Sequence, residues 1–474
     1  MQKLQVSKER QKRIPWKIAL VVFVLVFLLL SFVILHSLLV KKGDKNELGR
    51  LLQKASEIGL YTTIEEIYAD YQPVDDNTYF EWHEHGKKFD SLDSYFQKVD
   101  EENADTLRED FKKILDGVGL TDNSDKLTGH INDFLSVYEP LAKSKMFVPI
   151  RDLQDMMSVM MPELQCMKEV VKSYSARAIY HALKDNKSKC LEDLLYARNI
   201  TQQIDSDYTM ISRMVVYLLQ AVIYKSVSQI SIIYIKDAGM LEELKRFTQS
   251  FSLSDAKKYI STEMIMGRQI CNYYRNPHIS QGELPDEIEI LEHPVFGAFG
   301  NYLIRANIDK SEMLIVSFCV EITEAWDDYE KVEKLQRTLN HKAKSNIWNA
   351  EYIVPAIYMG MFDTFKEKEV MTTARQQCTL IGLSSLAHRA KTGAFPTLHQ
   401  AAEMAGVSAK DPYLKNQQDL KYKIEGERFI VYSVGKNKKD DDGKTKSAEH
   451  PEADDWAKFE VHLKAINSNT LSDR

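Results

Sequence analysis

The sequence predicts a mainly α-helical chain, with an N-terminal transmembrane helix, a helical-hairpin body and a small C-terminal α+β module built on a short antiparallel sheet. Three observations carry this. One apolar run near the N-terminus is long enough to span a bilayer, the middle of the chain repeats its apolar residues every three or four positions, and the C-terminal part changes to a period of two. The expected organisation is a basic tail over 1–15, a membrane anchor over 16–40 and a helical region over 41–145. A helical-hairpin body over 146–272, a proline-rich loop over 273–301, a helical region over 302–364 and the C-terminal module over 365–474 follow.

The anchor comes first. Ile18 to Leu35 is apolar except for Ser31, and the apolar stretch continues past His36 to Val40. At about 1.5 Å per helical residue this crosses a hydrocarbon core. Lys3, Lys8, Arg10, Lys12, Arg13 and Lys17 precede it and Lys41, Lys42 and Lys45 follow, so the positive-inside bias places the N-terminus in the cytoplasm and the bulk of the chain outside it. No small-x-small cleavage pattern closes the run, which reads as an uncleaved signal anchor.

Between the anchor and the centre the pattern is helical from Lys45 to about Tyr71, then from about 88 to 117 and from 126 to 143. Trp82-His83-Glu84-His85 stands out as a metal candidate, but its histidines lack the H-E-x-x-H spacing that puts two on one helix face. On a strand they would share a face; otherwise they form a surface cluster.

In the centre, Leu164 to Leu183 and Ser188 to Ile204 predict two helices joined by a turn at Lys184 to Lys187. Leu191, Leu194, Leu195 and Ile200 are expected on the inner side, and Ala176, Ala178 and Ala182 allow a close helix approach. This is a hairpin of tetratricopeptide size without a clean repeat. Such units stack to bury a shared core and often bind other proteins. Met210 to Tyr234 is long and apolar, but Arg213, Gln220, Lys225 and Gln229 interrupt it, so a buried core helix is expected instead of a second span. Pro277, Pro285 and Pro294 mark Arg275 to Asn301 as a loop carrying Glu283, Asp286, Glu287, Glu289 and Glu292, either a solubilising run or an acid pair. Helices resume from Ala306 to Ala343 and from about Ile347.

Composition limits the function classes. A net charge of -7 without a basic face argues against nucleic-acid partners. Five cysteines at 166, 190, 271, 319 and 378 show no C-x-x-C or paired spacing, so no zinc site or disulfide framework is indicated. Cys166 and Cys190, on neighbouring predicted helices, are the one pair that an oxidising compartment would let bridge. Phosphate loops, dinucleotide fingerprints and nucleophile elbows are missing, and Ser254-Asp-Ala-Lys257 fits S-x-x-K, a pattern that recurs by chance in a chain rich in Ser and Lys.

The C-terminal module is the most specific stretch. Met371, Ala374, Cys378 and Ile381 share a helix face that Gly393 ends, a Phe395-Pro396 turn and a short helix over His399 to Met404 follow, and Asp411-Pro412 makes the next turn. Leu420, Tyr422 and Ile424, then Phe429 to Val434, predict a hairpin across Glu425-Gly426-Glu427. Phe459, Val461 and Leu463 predict a third strand.

Through Gly393, Phe395, Pro396, Asp411, Pro412, Tyr422, Gly426, Tyr432, Ser433, Gly435 and the run Asp440 to Gly443, this module resembles the C-terminal domain of the type II secretion major pseudopilins. It is also similar to a module that ends larger, mostly uncharacterised membrane proteins of planctomycete and verrucomicrobial type bacteria, whose central helix with an Ala-x-x-Asp/Glu-Leu-Leu pattern corresponds to Leu191 to Leu195. The resemblance implies a bacterial inner-membrane protein with a periplasmic bulk. The pseudopilin processing site, a glycine and nearby glutamate before the apolar helix, is replaced by Ile14-Pro15-Trp16-Lys17-Ile18, so an ordinary filament subunit is not expected.

In the pseudopilins the loop after the Ser-x-Gly strand end binds calcium. The corresponding oxygen donors here are Asp440, Asp441, Asp442 and Asn437, a candidate calcium site of hard oxygens. Asn437 and Lys438 replace the usual aspartate and glycine, and Lys436, Lys438 and Lys439 crowd the loop, so a solvated charged loop is the alternative. The functional expectation is a non-enzymatic, membrane-anchored extracytoplasmic interaction protein linked to envelope assembly or secretion, with protein partners or self-association. An extracytoplasmic hydrolase without a known motif and an unconventional pseudopilin are the alternatives.

Overall fold

The computed structural model describes residues 45–70, 77–117, 119–144, 147–149, 161–275, 304–345, 350–414, 418–445 and 457–463. The expected anchor and almost all of the proline-rich loop lie outside these residues. The described chain is mainly helical, with one small three-stranded antiparallel sheet.

Helices α1 (Lys45–Glu57) and α2 (Ile64–Asp70) open the described chain, followed by α3 (Tyr79–Lys88), α4 (Leu92–Val99), α5 (Ala104–Leu115), α6 (Ser124–Ser136) and α7 (Glu139–Lys143). The three long patterns expected between Lys45 and 143 are thus divided into shorter helices. Gly59, at a φ of +87°, ends α1, and a capping box starts α2: the Glu66 N–H donates to Thr63 Oγ1 and the Thr63 N–H to Glu66 Oε2, each at 3.3 Å. Ser91 accepts from the Ser94 N–H at 3.0 Å and so sets the start of α4. Apolar spacing continues across these breaks because successive helices face a common core, and periodicity alone does not detect them.

The central hairpin is α8 (Pro162–Leu183) and α9 (Lys187–Asp205), as expected from the sequence. Its two helices pack along their length, with Ala176, Ala178 and Ala182 all buried. Leu194 and Ile200 are fully buried, but Leu195 is 40 % exposed; Cys190 and Ala197 take the inner positions instead. Adjacent residues on a helix lie about 100° apart, and the inward stripe through Cys190, Leu194 and Ala197 leaves Leu195 on its outer side. Helix α10 (Met210–Ile233) then crosses behind the hairpin and packs on α8, α9 and later elements. It is the single described helix long and apolar enough to cross a membrane, and most of its apolar window is buried within the protein. A core role explains its composition.

Helices α11 (Ala238–Gln249), α12 (Ala256–Arg275), α13 (Ile308–Glu324), α14 (Tyr329–Ser345), α15 (Ile353–Tyr358), α16 (Phe362–Thr392) and α17 (Leu398–Ala405) complete the helical part. The single pattern expected over Ala306 to Ala343 is broken between α13 and α14, where Asp328 caps α14 by accepting from the Lys331 N–H at 3.2 Å. Two apolar clusters result. One gathers α3 to α11, the C-terminal half of α16 and the sheet, while the other gathers α1, α2, α12, α13 and the N-terminal residues Phe362 and Phe365 of α16. Helix α16, 31 residues long, belongs to both.

Gly393, at a φ of +81°, ends α16 in a left-handed conformation that side-chain-bearing residues resist. Strands β1 (Lys421–Glu425), β2 (Arg428–Tyr432) and β3 (Lys458–His462) form the sheet in that order, with Glu425 opposite Arg428 and Phe429 opposite Val461. The hairpin and third strand fall where period two predicted them. Phe429, Val431, Phe459 and Val461 are completely buried, and Ile424 on the edge strand is 47 % exposed. The sheet lies directly on α16: a Cβ added at Gly382 would sit 2.1 Å from Phe459 Cδ1, so this glycine permits the approach.

Candidate functional site

The residues quoted for the C-terminal resemblance, far apart in sequence, meet around the end of β2. Asp411 is 2 % exposed, and its carboxylate accepts from the Tyr413 N–H at 3.0 Å, the Ser433 hydroxyl at 2.8 Å and the Val434 N–H at 2.9 Å. The Asp-Pro turn is thereby fastened to the Ser-x-Gly strand end. The Tyr422 hydroxyl donates to the Pro396 carbonyl at 3.0 Å, which fastens β1 to the turn after α16. Phe395 stacks against Phe429 with ring centres 4.8 Å apart.

The acidic loop comes next, and its oxygens face cations from the sheet. Tyr432 donates to Asp440 Oδ1 at 2.6 Å, while Lys421 and Lys423 approach the same carboxylate at 3.6 and 3.7 Å. Burial alone would raise the Asp440 pKa; the Tyr432 hydroxyl, the Asp442 N–H and the two lysines hold it below the usual value instead. Lys423 donates to Asp442 Oδ1 at 2.6 Å, Lys458 to the Gly443 carbonyl at 3.0 Å, and Arg428 to the Asp442 carbonyl at 3.4 Å. Asn437 bridges to Asp441 Oδ2 at 2.7 Å.

Calcium recruits carboxylates and backbone carbonyls of this kind, but it needs six to eight oxygens converging on one point. Here the oxygens converge on ammonium and guanidinium groups already supplied by β1, β2 and β3. Of the candidate calcium donors, Asp440 and Asp442 are paired with lysines of β1 and Asp441 with Asn437, and among the described residues no group of three or more His, Cys, Asp or Glu side chains is arranged to hold a metal. The remaining loop lysines turn outward to the helices. Lys436 pairs with Glu367 of α16 at 2.6 Å, and Lys438 pairs with Glu330 of α14.

The histidine cluster is divided by the helix that carries it. On α3 the two residues point in different directions: His83 Nδ1 lies 3.0 Å from the buried Glu163 carboxylate, and His85 packs edge-on against Tyr138. Trp82, between them on the inner face, donates to Gln203 at 2.9 Å. Ser254 of the S-x-x-K match is also structural, since its N–H donates to Asp205 at 2.7 Å and its carbonyl accepts from Arg213 at 3.0 Å. All five cysteines are free, buried thiols, Cys166 and Cys190 included. Burial pushes both of those thiols up to about 12. Glu283, Asp286, Glu287, Glu289 and Glu292 lie outside the described residues.

Sequence reasoning missed a cleft. Where α10 and α16 diverge beneath the C-terminal module, a cleft of about 570 Å³ opens between Met214, Leu218 and Ala221 on one side and Lys368, Met371 and Arg375 on the other. Tyr413, Gly435 and Ala457 of the C-terminal module border it. Leu218 is 50 % exposed there, as is Ile211 one stripe further along α10 at 56 %. A signal existed: Met214, Leu218 and Ala221 stand at i, i+4 and i+7, an apolar stripe beside the buried face of the same helix. The chain matches no protein-family model, no curated protein and no solved structure.

Proposed function

We propose that this protein is a membrane-anchored, extracytoplasmic scaffold that works by binding other proteins or further copies of itself, with a pseudopilin-like module as its display surface. The carrying observation is the continuity of α16. Its N-terminal end is built into one apolar cluster and its C-terminal half into the other, where it backs the sheet. The module is thus mounted on a helical body, whereas a pseudopilin mounts its own on an apolar stem. Salt bridges from Lys436 and Lys438 to Glu367 and Glu330 brace it in one orientation, which suits presentation of a surface. The apolar segment over 16–40 with its basic flank supports the anchoring.

The test is extraction of the full-length protein from membranes, followed by sizing and identification of co-purifying proteins. The expected result is fractionation with membranes and migration well above the 54.7 kDa of one chain, with a partner or a second copy in the same peak. A protein found in the soluble fraction, or a monomer that brings nothing with it, would overturn the proposal.

A further inference from the structure

We infer that the cleft between α10 and α16 is a binding site for a small anionic amphiphile, a carboxylate joined to an apolar chain. This goes beyond the scaffold reading and stands independently of it. The argument begins with volume. About 570 Å³ lies inside the roughly 300–1,000 Å³ that small-molecule sites occupy. A deep slot for a single side chain would be smaller.

The walls are apolar and adaptable. Met214, Leu218 and Ala221 come from α10 and Met371 from α16. Methionines rearrange around irregular ligands at little cost, which suits a flexible chain. The half-exposed Leu218 has apolar surface that water now covers, and burying it under a ligand chain is favourable by about 25 cal/mol for each Å² removed from water.

The α16 wall of the cleft carries one cation for a ligand, Lys368. Of the three ionisable residues from α16 that line it, Glu367 is neutralised by Lys436 at 2.6 Å. Lys368 is partly buried and, among the described residues, enters no ion pair. Arg375 lies two turns further along the same face and already interacts with other groups of the protein. Burial lowers its pKa from the usual guanidinium value. An anionic head would meet Lys368, with its chain running over Met371 and Leu218. A neutral or cationic amphiphile would find the same walls without the charge pairing.

Photo-labelling tests this in membranes that carry the full-length protein. An octanoate bearing a diazirine on its chain is irradiated with the membranes, and adducts are mapped by peptide mass spectrometry. Adducts are expected on the peptides containing Leu218 and Met371. Unlabelled octanoate should displace them, octanol should do so about tenfold less well and octylammonium less still. Lys368→Glu should weaken labelling by about tenfold, since it replaces attraction by repulsion, and Leu218→Glu should abolish it. Both positions reach solvent, so neither substitution disturbs the core, and Ile424→Glu at the sheet edge should leave labelling unchanged.

Adducts confined to the apolar segment over 16–40 would overturn the inference, because they would report partition into lipid. Equal competition by octanol and octanoate would overturn the anionic specificity that defines it. So would wild-type labelling of the Lys368→Glu protein, or cross-linking of Leu218 to a co-purifying polypeptide that octanoate does not displace.

Discussion

Two ion-pair clusters in this molecule use similar groups in opposite surroundings. In the helical body, Arg213 of α10 is 1 % exposed; it pairs with Asp205, donates to the Tyr217 hydroxyl at 3.1 Å and lies 4.8 Å from the Tyr259 ring centre. In the C-terminal loop, Lys423 bridges Asp440 and Asp442 with a quarter of its side chain in solvent and most of Asp442 exposed. Burial acting alone would lower the Arg213 pKa; Asp205 and the two tyrosines reverse this and hold it above the usual value. The difference teaches that the buried cluster determines whether the body folds, whereas the exposed one shapes a loop that the sheet already supports.

The largest expected effect comes from breaking the buried pair. Arg213→Ala leaves Asp205 charged and without its guanidinium, and should cost about 3–5 kcal/mol, read as a lower denaturation midpoint. A cost below about 1 kcal/mol would show that water reaches the site, and the contrast between the clusters would disappear.

Asp411 is an intermediate case, a buried carboxylate held among the described residues by three neutral donors and no ion pair. Asp411→Ala removes charge-assisted hydrogen bonds and strands the Val434 N–H, for an expected loss of about 1.5–3 kcal/mol. Chemical shifts or proteolysis at the turn around Pro412 and at the end of β2 should change together, because one carboxylate holds both.

Glu263 sharpens the comparison through pH. Its carboxylate accepts from the Met210 N–H at 3.2 Å and, among the described residues, enters no ion pair, and burial pushes its pKa up to about 7 against an ordinary 4.5. A raised carboxyl pKa means the folded state binds the proton more tightly than the unfolded one. This group therefore adds stability as pH falls from 7 towards 4.5 and withdraws it as pH rises through 7. Glu263→Gln should be more stable than the parent at pH 8, with the advantage vanishing near pH 4. Melting curves at the two pH values check the sign.

The smallest effect belongs to the loop. Lys423→Met should cost about 0.2–1 kcal/mol, and raising the salt concentration should shrink that difference. Calcium should leave the melting temperature of the parent unchanged, because an ion that binds the folded state would raise it with the logarithm of its concentration. A calcium-dependent rise that Asp440→Ala abolishes would show that the metal displaces the lysines, and the internal-cation account of the loop would fall.

These clusters also show what could be read in advance. The turn and strand chemistry of the C-terminal module was legible because each signal is local. Gly393 ends a helix, Asp411-Pro412 turns, and the β-branched and aromatic run Phe429 to Val434 reads as a strand. The short helices before residue 144 were less legible. The capping box at Thr63 and Glu66 was present in the sequence, but an apolar period running straight across it hid the break. The candidate site was legible in its members and not in its partners: the aspartates of the loop were visible, while the lysines that pair with their carboxylates come from β1, and Arg428 of β2 and Lys458 of β3 take the loop's carbonyls.

By itself the sequence determined the helical class, the central hairpin, the buried nature of α10 and the order of the three strands, since each follows from the periodicity and turn preferences of neighbouring residues. Only the tertiary structure decided which charges meet. Arg213 finds Tyr259 across 46 positions, Lys438 finds Glu330 across 108, and the cleft exists because α10 and α16 diverge. Such encounters depend on how helices cross, and crossing is set by the shapes of whole packed faces, which no local stretch encodes.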